Sequence, residues 1–301
     1  MTITPWHNDN IPPPPITTLN TYLNGLEADK KRWHDASDFP MRRIAAAPVT
    51  TVFNLEEAEV REIADASRSF GIHMHTHLSE NDTYVSSTMD RFGQRPVDWM
   101  ADQGWIGPDV WYAHLVKVNT KEMDRLAEAG TAMAHCPQSN ARLGSGIAPA
   151  PEFARRGGIV SLAVDGTAAN EAGDMAQAIY TAFILHRSVG QAESTSAEEV
   201  MHWATAGGAQ ALGIPGISTL EVGKAADIVM LSLAHPRYFG QHDPAIGTII
   251  SGGEFFIHRS FVQGNPIVID NKIPGIDLHS LSERARQAVE RLILAKKRQA
   301  R

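Results

Sequence analysis

Short apolar runs alternate with amphipathic stretches from about residue 40 onwards. Each apolar run is bounded by turn-forming residues, which predicts a buried strand. Between the runs, apolar residues recur at helical spacing, as in Val60, Ile63 and Ala64. Five strands are predicted in this way, over residues 44–49, 72–78, 109–116, 131–135 and 159–164.

Capping residues mark where the intervening helices begin and end. Asn54 and Glu57 have the spacing of a capping box, and Thr120 is predicted to cap a later helix. Gly71 and Gly130 follow the last periodic residues and are predicted to end their helices. A further helix is predicted over residues 171–187.

Strands that alternate with helices predict a parallel sheet with right-handed crossovers, its strands adjacent in chain order. In such α/β folds the active site lies at the carboxyl ends of the strands. The fold class is therefore α/β, and functional residues are expected at those ends.

The pattern changes after about residue 190. Residues 196–213 are predicted to form one helix, 221–231 a turn and a strand, and 245–270 hairpin-like strands. A terminal amphipathic helix carries its apolar face on Leu281, Ala285, Ala288, Val289, Leu292 and Ile293. The predicted division is an irregular, proline-rich tail (1–18), an α/β domain (19–212), a small β domain (213–275) and a terminal helix (276–301).

Composition narrows the class of protein. The chain has 301 residues, 43% of them hydrophobic, and a net charge of −7 without a basic stripe before Lys296, so nucleic acid is not an expected partner. No apolar run reaches the roughly 18 residues of a membrane span. The single cysteine, Cys136, excludes an intrachain disulfide and favours a cytoplasmic location.

Candidate chemistry lies at four successive strand ends. These carry His75-Thr-His-Leu-Ser-Glu80, His114, His135-Cys-Pro-Gln-Ser-Asn140 and Asp165-Gly-Thr. Imidazole nitrogen and carboxylate oxygen are ligands for zinc and similar ions. Glu80, His114 and Asp165 also suit proton transfer.

Each residue also has a simpler interpretation. Histidines such as His73, His34 and His242 are more often structural than functional, and Cys136 is a small buried side chain. Asp165-Gly is a common turn, and the stretch Glu80-Asn-Asp alone is typical of a helix cap. Because histidine or carboxylate side chains occur together at four successive strand ends, a functional site is favoured over four separate structural roles.

These motifs, with Ala204-Thr-Ala-Gly-Gly-Ala209 and Gly223-Lys-Ala-Ala-Asp227, resemble the cytosine/guanine deaminase and chlorohydrolase branch of the amidohydrolase superfamily. The resemblance implies a (β/α)8 barrel with a small β-sandwich. It implies one divalent metal ion, expected to be zinc, and release of ammonia from a small heterocycle, a pterin or an oxidised purine. It assigns His77 and Asp165 as metal ligands, Glu80 as the residue that binds the substrate and protonates its nitrogen, and His114 as the neighbour of the metal-bound water.

The chain also departs from the family pattern. A His-x-His pair at the first barrel strand should supply two more ligands, and nothing before residue 40 provides it, since His7 and His34 lack that spacing. The sequence is therefore expected to be truncated, with barrel strands four to eight and part of the sandwich. Alternatives left open are a triazine-type chlorohydrolase or aminohydrolase, and a non-catalytic remnant. A homo-oligomer is also left open. The chain alone is expected to bind zinc weakly and to be inactive.

Overall fold

The computed structural model describes residues 17–170 and 172–299, and its architecture is α/β. Five strands form one parallel sheet in which each strand lies beside its neighbour in sequence. The predicted fold class and strand order are confirmed, and all five carboxyl ends share one edge. The strands are β1 (Ala45–Ala46), β2 (His73–Leu78), β3 (Val110–His114), β4 (Ala132–His135) and β5 (Val160–Leu162).

Helices connect these strands and pack on them. α3 (Glu57–Phe70) packs against β1 and β2, and two later helices, α11 (Ala197–Ala204) and α12 (Ala206–Ala211), pack against β5. The helices of this part are α1 (Leu19–Trp33), α2 (Thr51–Asn54), α3 (Glu57–Phe70), α4 (Asp82–Phe92), α5 (Pro96–Asp102), α6 (Thr120–Ala129), α7 (Pro137–Leu143), α8 (Ala150–Arg155), α9 (Thr167–Asn170), α10 (Met175–Gly190), α11 (Ala197–Ala204) and α12 (Ala206–Ala211).

A second, antiparallel sheet follows in the C-terminal part of the chain. Its strands are β6 (Ile228–Leu231), β7 (Ile257–Val262) and β8 (Asn265–Ile269), with β7 in the middle. α13 (Pro244–Ile250) lies between β6 and β7, two short 3₁₀ turns cover Pro215–Ile217 and Pro236–Tyr238, and α14 (Leu278–Gln299) follows β8. The predicted small β region and terminal helix are present. The exact domain boundaries stay a prediction, and the predicted tail falls almost wholly outside the described residues.

The first strand is shorter than the predicted 44–49, since only Ala45 and Ala46 pair with β2. Pro48 has no N–H to donate to a neighbouring strand, which ends regular pairing. The carbonyl groups of Pro48 and Val49 instead accept hydrogen bonds from side chains of β2. Within the described residues β1 pairs with β2 alone, so it is an edge strand, as expected for this part of the chain.

Two predicted helix caps are wrong by one or two residues. Asn54 ends α2, and the capping box of α3 uses Glu56 and Glu59, whose carboxylate accepts from the backbone N–H of Glu56 at 3.0 Å. In α6 the cap is Asn119, not Thr120, because the Asn119 side chain accepts from the N–H of Glu122 at 3.0 Å. The predicted ends are confirmed: Gly71 and Gly130 both adopt left-handed backbone.

Three longer predictions are also corrected. The helix predicted over 171–187 runs from Met175 to Gly190. The one predicted over 196–213 breaks at Thr205, whose backbone is not helical, into α11 and α12. Residues 244–250 form a helix rather than a strand, because Pro244 occupies the first turn and Asp243 caps it by accepting from the N–H of Ala245.

The hydrophobic core surrounds the parallel sheet. Trp99, Trp105, Tyr112 and Phe153 are wholly buried there. By contrast, side chains of α14 are exposed along almost its whole length, including the predicted apolar face. In the described part of the chain, no helix is both long and apolar enough to cross a membrane.

Candidate active site

β2 presents its histidines on one face of the sheet. Along this strand, half-buried His73, His75 and His77 alternate with fully buried Met74, Thr76 and Leu78. His77 lies nearest the carboxyl end. Its Nδ1 lies 2.7 Å from the carbonyl oxygen of Val49, to which it donates, so Nε2 is left for another partner.

His114 ends β3 and contacts His77 at the edge formed by the carboxyl ends of the strands, which we call the rim. The two rings stack with centroids 5.3 Å apart. His114 is only 2% exposed, and its Nδ1 lies 2.8 Å from the amide oxygen of Asn140. Burial lowers the pKa of His114, against the opposing effect of Glu80, so the ring is neutral near pH 7.

Glu80 faces His114 from the loop that follows β2. Its Oε2 lies 4.0 Å from His114 Nε2, and its Oε1 accepts a hydrogen bond from the hydroxyl of Ser145 at 3.0 Å. This carboxylate is therefore held by one oxygen and directed at an imidazole by the other. The Glu80-Asn-Asp stretch does contain a helix cap, since the Asn81 side chain caps α4, whereas the Glu80 side chain makes the separate contacts given above.

Asp165 follows β5 and is the fourth group at the rim. Its Oδ2 accepts from the hydroxyl of Ser139 at 2.5 Å, and its Oδ1 accepts from the N–H of Gly166 at 2.6 Å. Burial acts to raise the pKa of Asp165, but these two hydrogen bonds, with smaller effects from His114 and His77, hold it below its ordinary value. The carboxylate is therefore ionised at neutral pH.

Four residues at these strand ends have strained backbone. Ser79, His114, Leu115 and Asp165 all adopt positive φ angles, between 48° and 75°. Such conformations are costly for residues with a side chain and persist where the surrounding structure imposes them. The rim is thus a place where the fold accepts strain in order to direct particular side chains.

One segment contacts three of these groups, and sequence reasoning assigned it no role. Residues 136–145 supply Ser139 to Asp165, Asn140 to His114 and Ser145 to Glu80. All three side chains are at most 5% exposed. The polar residues of His135-Cys-Pro-Gln-Ser-Asn140 and Leu143-Gly-Ser-Gly were the available sign, because buried serine and asparagine need partners.

Among the other histidines that the structure describes, some are buried and some lie at the surface. His135 and His186 are buried with their Nε2 atoms 3.0 Å apart. His75 stacks on Trp111, and burial lowers its pKa to about 4. His34 accepts from the backbone N–H of Ile44, and His242 is exposed. Cys136 is buried, which raises the pKa of its thiol to about 12.

The donor atoms at the rim fit part of a zinc site. His77 Nε2 and the Asp165 carboxylate are suitable ligands, and the Nδ1 hydrogen bond of His77 is the support that ligating histidines usually have. A catalytic zinc site normally takes three protein ligands. Within residues 17–170 and 172–299, no three His, Cys, Asp or Glu side chains are arranged to hold one ion. The described residues therefore do not complete a metal site.

Comparison with known proteins identifies the family. Residues 21–265 match the Amidohydrolase family. The chain belongs to the amidohydrolase family. The resemblance drawn from the strand-end motifs is thereby confirmed, and with it the assignment of the chain to a family of hydrolases.

Two curated amidohydrolases are close relatives. An isoxanthopterin deaminase from an unknown prokaryotic organism is 43% identical over 291 residues, which cover 92% of this chain and 60% of the relative. An 8-oxoguanine deaminase from Pseudomonas aeruginosa is 36% identical, with coverages of 93% and 63%. The chain thus spans about 60% of the length of the curated relatives it matches.

A solved amidohydrolase has the same fold. The crystal structure of an adenosine deaminase from Xanthomonas campestris with bound zinc superposes with a TM-score of 0.87 at 27% identity. The match covers 91% of this chain and 62% of that protein. The barrel-type fold predicted for this chain is supported by this likeness, and zinc is present in that relative.

Proposed function

We propose that this chain supplies the proton-transfer groups of an aminohydrolase that releases ammonia from a pterin or an oxidised purine. The observation that carries the proposal is the meeting of Glu80, His114 and Asp165 at one rim, each held by a buried side chain of residues 136–145. The names of the two curated relatives support this class of substrate.

We infer a role for each group, which the geometry supports. Asp165 is ionised and hydrogen-bonded on both oxygens, so it suits the acceptance of a proton from the attacking water. Glu80 is placed to pass a proton to a ring nitrogen of the substrate. His114, between Glu80 and His77, borders the position where water and substrate would meet.

The metal is a separate part of the proposal. We infer that His77 and Asp165 provide two ligands to one zinc-like ion, with the remaining ligands from outside the described residues. When bound, such an ion lowers the pKa of its water to about 7. The zinc-bound adenosine deaminase supports this inference.

Two rival functions are weaker. The triazine-type hydrolase is not favoured, because both curated relatives are named as deaminases of pterin or purine rings. The non-catalytic remnant is less well supported, because Glu80 and Asp165 are both held by hydrogen bonds at the rim and Asp165 has strained backbone. A cytoplasmic location and a homo-oligomer remain proposals, supported by the single free cysteine and by the exposed apolar face of α14, respectively.

The test is to measure ammonia release from isoxanthopterin and 8-oxoguanine with added zinc. It would be done on the chain alone and on the chain joined to the part of the 43%-identical relative that it does not span. The joined protein should bind about one zinc per chain and turn over. The chain alone should bind zinc weakly. Its turnover number should stay well below about one per second, which is the lower end of the ordinary range for enzymes.

Glu80→Gln in the joined protein should leave zinc content intact and reduce turnover about 10²-fold or more, because an amide does not carry the proton. Asp165→Asn should be more damaging, since Asp165 both binds the ion and accepts a proton. Glu128→Gln, the same change on an exposed helix position, is the control. A folded, zinc-loaded protein that released no ammonia from either heterocycle would refute the proposed function.

A further inference from the structure

Asn140 is a fully buried amide with a single hydrogen-bond partner. It is 0% exposed, and its Oδ1 lies 2.8 Å from Nδ1 of His114. Its Nδ2 is buried without a hydrogen-bond partner among the described residues. Leaving an amide N–H group unpaired in the interior costs stability, so such a group calls for an explanation.

We propose that Asn140 is a positioning residue, which holds His114 in the tautomer that carries its proton on Nδ1. The amide oxygen accepts that proton in a hydrogen bond, and Nε2 is left with a free lone pair. A neutral histidine in water favours the opposite tautomer, with the proton on Nε2. Asn140 would thus reverse the ordinary preference of the ring.

The surroundings of the ring make this orientation useful. Nε2 lies 4.0 Å from Glu80 Oε2 at the rim, and the other oxygen of Glu80 is fixed by Ser145. With its proton on Nδ1, His114 presents the lone pair of Nε2 to the rim, where it can accept a hydrogen bond from a bound water or substrate. Only this last step rests on the proposed function.

The backbone and the side chain of residue 114 are controlled separately. The positive φ angles of His114 and Leu115, 75° and 48°, set the direction in which the His114 side chain leaves the backbone. The stack with His77 fixes the ring plane. Neither contact distinguishes the two ring nitrogens, because turning the ring over preserves the stack. The hydrogen bond to Asn140 is the contact that makes the distinction.

The tautomer is measured directly by long-range ¹H–¹⁵N spectra of the 301-residue chain labelled with ¹⁵N-histidine, at one fixed pH. The chain has 13 histidines, and the loss of one set of peaks in His114→Gln assigns the ring. We expect the wild-type ring to show a protonated Nδ1 and an unprotonated Nε2. In Asn140→Leu, which has a similar size and no acceptor, the proton should move to Nε2.

Two variants separate positioning from general packing. Asn140→Asp keeps an acceptor oxygen and should retain the proton on Nδ1. Ser139→Ala changes the adjacent residue of α7, which is equally buried and bonds to Asp165, and it should leave the His114 spectrum unchanged. Circular dichroism checks that each variant is folded.

A wild-type ring protonated on Nε2 would overturn the proposal, because the amide of Asn140 would then be turned over and donating. Equal changes of the His114 spectrum in Ser139→Ala and Asn140→Leu would also overturn the proposal. They would show that α7 affects the ring only through packing. The measurement needs neither turnover nor zinc. A failed deaminase assay therefore tests the proposed function and leaves this inference untouched.

Discussion

The two sheets of the molecule bury their apolar side chains to very different extents. Around the parallel sheet, Trp99, Trp105 and Phe153 are fully buried. Near the antiparallel sheet, Leu220 is 77% and Val229 is 59% exposed. Three strands without a covering layer bury little surface. The parallel sheet is therefore a well-packed platform, whereas the antiparallel sheet leaves large apolar side chains exposed.

The candidate site belongs to the parallel sheet. The groups proposed for proton transfer are held there by buried hydrogen bonds, which fix their positions. A cleft of about 820 Å³ lies elsewhere, between α10, α11 and the antiparallel sheet, and no rim histidine lines it. Its lining is largely apolar, with Asp174, Asp227 and Glu254 among it. A search for the active site by cavity volume alone would therefore select this cleft and miss the residues of the rim.

The largest predicted effect contrasts two phenylalanines. Phe153→Ala should reduce the free energy of unfolding by about 3–5 kcal/mol, because it opens a cavity in a filled core. Phe239→Ala in the C-terminal part, where the ring is 70% exposed, should cost no more than about 0.5 kcal/mol. Urea unfolding followed by circular dichroism measures both. Equal losses would show that the C-terminal part is as well packed as the first, and the comparison would fail.

Periodicity in the sequence was sufficient to predict the platform. The strands at 72–78 and 131–135 were found because each begins directly after a glycine that ends a helix, Gly71 or Gly130. The helix at Pro244 was missed because so short an apolar run is equally compatible with a strand. The Asp243-Pro244 pair, which starts the helix, was the local signal that distinguishes the two.

The site was predicted in part for a related reason. Four side chains lie at or just after the ends of strands, so the topology of the fold places them on one edge of the sheet: His77, Glu80, His114 and Asp165. Asn140 and Ser145 were missed as site residues because their roles depend on contacts between residues 26 and 65 positions apart in the chain. Spacing along a single element does not reveal such pairs.

A smaller effect should appear when the pH is lowered. Burial lowers the pKa of His186 to about 4 and that of His135 well below its ordinary value. The unfolded chain binds these protons near pH 6.5 and the folded chain does not, so stability falls as the pH drops from about 6.5 towards 4. The titration of His186 should account for about 1.5 kcal/mol between pH 6.5 and 5.

Urea unfolding at several pH values, compared between the wild type and His186→Gln, tests this. The variant should lose stability less steeply towards acid, because one buried titrating ring is gone. His242→Gln, at an exposed position, should leave the slope unchanged. An unaltered slope in His186→Gln would place the acid sensitivity elsewhere in the molecule.

The last prediction tests how closely α12 packs on β5, the edge strand of the platform. Gly207 and Gly208 are adjacent in α12, and a Cβ at Gly207 would overlap the carbonyl oxygen of Val160 in β5. A Cβ at Gly208 would meet nothing within 4 Å. Gly207→Ala should therefore cost about 1–3 kcal/mol, because helix and strand must separate. Gly208→Ala should gain up to about 1 kcal/mol from helix propensity. If alanine stabilised the protein at both positions, α12 would not be seated on β5, and this edge of the parallel sheet would be as open as the antiparallel one.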